Sequence, residues 1–176
     1  MDSYSSGKSF GMIMGVLLGV MITLVILRYV NKNRALRTEY DEMQKLTRGE
    51  AYMYGFFAII AAEALISLFE SFGPLPADQI VIHFLVILLG VTVQAGYSIL
   101  HNAYIGLNTQ TTRFTVITIV IALINLAVAV LAWIEGRMVV NGILQAPFVN
   151  FMVFAMFLIL ALLGFIKRNT EQGEEQ

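Results

Sequence analysis

Two glutamates, Glu63 and Glu70, lie seven residues apart inside an otherwise apolar run, with Ser67 between them. Seven residues is close to two helical turns, so all three share one helix face. A charge in the middle of a bilayer costs about 2.5–3.5 kcal/mol on insertion scales, so a membrane acid is protonated, paired or turned to water. Glu63 falls near the centre of its run, where such an acid can take up a proton or a cation. His83, Gln94 and Asn125 are the other polar groups of this kind, each within an apolar run of its own. The chemistry on offer is proton or cation passage at Glu63, with Gln94, Tyr97 and Glu70 further along a polar path. The plainer reading is a neutral acid that joins helices. Interhelical hydrogen bonds in membranes return only about 0.6 kcal/mol on average, which is little for burying an acid.

The elements that must position these residues are five apolar stretches, 10–30, 52–72, 80–100, 114–134 and 148–166. A membrane-spanning helix needs about 20 mostly apolar residues. The composition agrees, at 58% hydrophobic and 13% charged, where soluble domains carry about 25% charged residues. The expected fold is all-α: a polytopic, multi-pass bundle of five transmembrane helices forming one membrane domain over residues 1–176. The first stretch is too long for a signal peptide, and no A-x-A-like site follows it.

Each stretch has a distinct face. Gly11, Gly15 and Gly19 repeat at every fourth position in the first, which gives a flat surface for close helix packing. The third carries His83, Gly90, Gln94, Tyr97 and, just beyond it, His101 on one stripe. The fourth carries Thr115, Thr118, Ala122, Asn125, Ala129 and Ala132, and the fifth Asn150, Phe154, Phe157, Ala161 and Gly164. Lipid does not satisfy polar side chains, so these stripes turn inward. The second, third and fourth stretches are expected to face one another, bringing Glu63 to Asn125 at the midplane, level with Gly90. His83, near an outer end, is expected to meet Glu70 or the headgroups. Gln94 and Asn125 have a packing role as their plainer reading.

Lysine and arginine gather on the cytoplasmic side of membrane proteins. With the N-terminus outside and the C-terminus inside, nine of the eleven fall on cytoplasmic segments, and only Lys8 and Arg137 lie outside. Tyr52 and Tyr54 then form an inner aromatic belt, and Trp133 an outer one. All three prolines lie in outer loops, and the Gly73-Pro74-Leu75-Pro76 turn joins the second and third stretches tightly. Asn141-Gly142 between apolar pairs is a hairpin signal; a small β-hairpin or an irregular interfacial loop fits 139–144. The cytoplasmic loop 31–50 places Leu36, Tyr40, Met43 and Thr47 at helical spacing, with Gly49 separating this short helix from the second stretch. It reads as a topology-setting connector or as a surface for a partner or anionic lipid.

The near-neutral net charge of −1 gives no reason to expect nucleic acid, and the absence of cysteine excludes disulfides and thiolate metal sites. Two histidines at opposite ends of one helix do not make a metal site. No H-E-x-x-H, G-x-S-x-G or glycine-rich phosphate loop occurs. No catalytic residue, cofactor or metal is expected. The residues Arg48-Gly49-Glu50-Ala51-Tyr52-Met53-Tyr54, entering the second stretch, resemble a family of small multi-span membrane proteins of Gram-positive anaerobic bacteria. The resemblance covers this junction and the five-span layout. It implies a bacterial cell (cytoplasmic) membrane and no activity. The expected role is a non-enzymatic accessory, sensor or regulatory membrane protein, whose partners beyond the lipid bilayer are a homo-oligomer or a larger membrane protein. The alternative is a small oligomeric proton or cation channel or transporter using Glu63.

Overall fold

The computed structural model describes residues 39–106 and 111–174, with side chains over 39–106 and 116–167, and isolated positions before residue 29. Two compact units, Met1–Thr38 and Glu39–Gln176, divide the chain. In the first unit the described positions, among them Met14, Leu17 and Met21, are helical and exposed. Gly11 and Gly15 lie outside the described residues. Gly19 is helical, and a Cβ there would meet nothing within 4 Å.

The second unit contains four helices: α1 (Glu42–Glu70), α2 (Gln79–Leu100), α3 (Thr111–Ile134) and α4 (Phe148–Glu174). All four are long and apolar enough to cross a membrane. α1 opens with a reciprocal cap. The Asp41 carboxylate accepts from the Gln44 backbone N–H at 2.6 Å, and the Gln44 side chain accepts from the Asp41 N–H at 3.3 Å. This capping box satisfies two donors that a helix start leaves orphaned. The helix then runs through Gly49 without a break, contrary to the expected separation. A helical glycine costs only about 1 kcal/mol relative to alanine, and the cap before it and the apolar run after it outweigh that.

α2 begins at Asp78, whose carboxylate accepts from the Ile80 N–H at 3.0 Å. It ends at Asn102, which adopts a positive φ of 57°. The Ala103 N–H donates to the Ser98 carbonyl at 2.8 Å and the Asn102 N–H to that of Ile99 at 3.2 Å. These two bonds make a Schellman cap with asparagine in the left-handed position. α3 ends the same way at Gly136, with Arg137 donating to Ala132 and Gly136 to Trp133.

Between α3 and α4, β1 (Val139–Val140) pairs antiparallel with β2 (Ile143–Leu144). Asn141 and Gly142 form the turn, both at positive φ (52° and 77°), as the type I′ turn of a two-residue hairpin requires. Of the two readings of 139–144, hairpin or irregular loop, the hairpin is the one present. It is tied to the α1–α2 turn, because the Asp78 N–H donates to the Leu144 carbonyl and the Leu144 N–H to that of Pro76.

α1 packs on α2, α2 on α4, and α4 on α3. The spatial order is thus α1–α2–α4–α3, and α1 and α3 share no comparable interface. This corrects the expectation that the second, third and fourth stretches face one another. The stripe on α3 does turn inward, with Ala129 and Ala132 buried and Thr118, Ala122 and Asn125 half-buried, but the surface it meets is α4. Ala95 of α2 with Met156 and Leu160 of α4 forms the core, flanked by Leu88, Ile99, Tyr104 and Phe157.

Candidate functional site

Hydrogen bonds and close backbone contact fix the register of α1 against α2. A Cβ on Gly55 would lie 2.9 Å from both the Gly90 carbonyl and the Gln94 Cβ. A Cβ on Gly90 would lie 2.4 Å from Ile59 Cγ1 and 3.1 Å from the Gly55 carbonyl. Glycine at both positions lets the two helices cross this closely, with backbone against Gly55 and the Ile59 side chain against Gly90. Of the stripe expected on α2, Gly90, Gln94 and Tyr97 do face α1.

Beyond the crossing, toward the N-terminus of α1, polar groups lock the two helices together. The Tyr97 hydroxyl donates to the Glu50 carboxylate at 2.7 Å. The Tyr97 ring lies between Tyr54, at 4.8 Å between centroids, and His101, stacked at 4.1 Å. One Arg48 nitrogen donates to the Ala103 carbonyl at 3.2 Å and another to the Tyr52 hydroxyl at 3.3 Å. The Arg48 guanidinium also sits 4.3 Å above the Tyr40 ring, a favourable cation–π placement. Gln44 donates to the Asn102 carbonyl at 2.8 Å. Tyr104 is half-buried beside these groups, and burial pushes its phenol above the ordinary tyrosine range. Five of the seven tyrosines take part in this clamp.

Sequence reasoning singled out Tyr97, Gln94 and Gly90 but missed Glu50, Arg48 and Gln44, which it placed on a connector. The signal was present: Gln44, Thr47, Arg48 and Ala51 continue the helical spacing of the face that includes Gly55.

The same register sets the depth of Glu63 along α2. Gly55 faces Gly90 and Gln94, and Glu63 lies eight residues further on, about 12 Å at 1.5 Å per residue, toward the hairpin. Eight residues back along α2 from Gly90 and Gln94 span Ile82 to Val86, so His83 is level with Glu63 rather than with Glu70.

The structure does not bring Glu63 and Asn125 together. Asn125 donates to the Ile121 carbonyl one turn back on its own helix at 2.9 Å. Glu63 is exposed and, among the described residues, makes no hydrogen bond or ion pair. Glu70 and His83 are also exposed and make no such bond with each other. The geometric reason is the helix order, which puts α4 rather than α1 against α3. Among the described residues, no group of three His, Asp or Glu side chains is placed to hold a metal ion.

The arrangement therefore has two parts: a satisfied polar clamp that joins two helices, and an exposed acid within the apolar run of α1. No protein-family model matches the chain, and no curated protein or solved structure matches it either.

Proposed function

We propose that this chain is a non-enzymatic, multi-pass accessory or regulatory protein of a bacterial cytoplasmic membrane. It has five spans, with the N-terminus outside, the clamp at the inner interface and the β-hairpin outside. The observation that carries the role is the orientation of Glu63. A conduit needs its acid on a path between helices, whereas this one is exposed beside the face of α1 that meets α2 and is not enclosed by the described helices. The space a path would need between α1 and α2 is filled at the Gly55–Gly90 crossing. The polar groups of the clamp are spent on joining helices, which leaves them with a structural role. The nine-to-two bias of Lys and Arg supports the orientation, and the ring of tyrosines suits an interface.

The test is ion flux into liposomes holding the purified protein under an imposed pH gradient, wild type against Glu63→Gln. The expected result is flux no greater than in empty liposomes for both. Flux from wild type that disappears in Glu63→Gln would replace the accessory role with the channel or transporter role.

A further inference from the structure

α1 carries two stripes at helical spacing, and α2 covers only one of them. The covered stripe runs through Ala51, Gly55, Ile59, Ala62 and Ile66, all buried or half-buried. The other runs through Phe56, Ile60, Glu63, Ser67 and Glu70 at spacings of four, three, four and three, and every member is exposed. Alternating spacings of four and three keep side chains on the seam between two packed helices. A helix surface that only meets lipid needs no such register and excludes acids. Here the centre of the stripe is a carboxyl within the apolar run of α1, with a serine and a second carboxyl on the same side.

The chemistry of the missing neighbour follows from charge. An acid in a membrane pairs with a basic group or a strong donor. The only lysine or arginine within the five apolar stretches is Arg28, at the very end of the first. His83, although level with Glu63, forms no ion pair with it. A second copy packed about this stripe would set glutamate against glutamate. We propose that this second stripe of α1 docks a transmembrane helix of another protein, one that carries a Lys or Arg at the depth of Glu63. The proposal rests on the accessory role and adds the site and the chemistry of the partner.

The probe is a synthetic leucine–alanine transmembrane peptide of about 20 residues, with one lysine at its centre, as Glu63 is central in its own apolar run. The control peptide has leucine there, and a third peptide has glutamate. The full chain lacks cysteine, so Met43→Cys, outside the hydrocarbon, takes a fluorescent donor for energy transfer to a labelled peptide in liposomes. Wild type should bind the lysine peptide at about tenfold lower mole fraction than the leucine peptide, the scale seen for polar contacts between model transmembrane helices. Glu63→Gln should abolish that preference, Glu70→Gln should keep it, and Glu63→Lys should move it to the glutamate peptide. The reversal variant gains a preference, so a merely weakened fold does not mimic it. Equal binding of lysine and leucine peptides by wild type would overturn the proposal, as would a preference that survives Glu63→Gln. Energy transfer between labelled copies without peptide, abolished by Ser67→Phe, would instead give the stripe to a second copy and also overturn it. Flux in the liposome test defeats the accessory role whatever the peptides do, while failure with the peptides alone leaves that role standing.

Discussion

At the scale of single residues, two glycines show how identical substitutions differ in consequence. On Gly90 an added methyl meets the side chain of Ile59 first. On Gly55 it meets a backbone carbonyl and a Cβ, which do not move without moving α2. Overpacking a tight contact costs about 1–3 kcal/mol. Gly55→Ala and Gly90→Ala should both lower the thermal midpoint of the detergent-solubilised protein. Adding Ile59→Ala should restore much of the loss for Gly90→Ala and none for Gly55→Ala. Equal rescue of both would mean that the two helices cross elsewhere. Tyr104 gives a pH signature. Burial raises its phenol pKa, so the folded protein holds that proton to higher pH than the unfolded chain. Stability from this group is constant below about pH 10 and falls as pH rises through the tyrosine range. Tyr104→Phe should flatten the alkaline loss of stability measured between neutral and strongly alkaline pH; an unchanged slope would place the loss elsewhere. At this scale, Gly90, Gln94 and Tyr97 were legible because polar and small residues at spacings of four and three stand out on a leucine-rich helix. Gly55 was not, because aromatic residues flank it directly and the polar residues of its face, Gln44, Thr47 and Arg48, lie in a segment read as a connector.

At the scale of elements, local signals were strongest where backbone geometry demands a particular residue. The Asn141-Gly142 pair specified its hairpin because both turn residues need positive φ. Asn102 ends α2 for the same reason, although no glycine or proline immediately follows it to mark the stop in the sequence. Left-handed backbone suits glycine, is tolerated by asparagine and strains β-branched residues. Asn102→Gly should therefore leave the clamp intact or tighten it, whereas Asn102→Val should destabilise the protein by about 1–2 kcal/mol. The loss should appear as faster hydrogen exchange at Ala103, whose N–H closes the cap. Protection unchanged in the valine variant would show that the cap does not hold this end. The continuity of α1 was misjudged from Gly49, because glycine is a weak helix breaker when the ladder on both sides is strong. The clamp residues Gln44 and Arg48 then bond to the segment after α2. They belong to the helix because the Asp41–Gln44 cap opens it before them, and their spacing continues the Gly55 face, although the segment they bond to is not legible from spacing.

At the scale of the whole molecule, the sequence marks which helix faces are inward but not which helices meet. Asn125 and its small neighbours turn inward as their pattern requires, and α4 rather than α1 receives them. Periodicity reports a face, whereas order around a bundle depends on loop reach and on how side chains interlock, and four similar apolar helices allow several orders. The connection between α1 and α2 is short enough to force them together. The longer connection through the hairpin leaves α3 room to lie beyond α4 and still be its partner. Orientation across the membrane is legible in principle, since basic residues crowd one set of loops. The hairpin and the clamp lie at opposite ends of α2, so they should occupy opposite sides of the bilayer. With no native cysteine, single replacements at Met43 and Val140, both exposed, report the two sides directly. A membrane-impermeant maleimide applied to intact cells should label Val140→Cys and spare Met43→Cys until the membrane is opened. The reverse pattern would invert the orientation while preserving the bundle. Labelling of both in intact cells would place Met43 and Val140 on one side and remove α2 from the list of spanning helices.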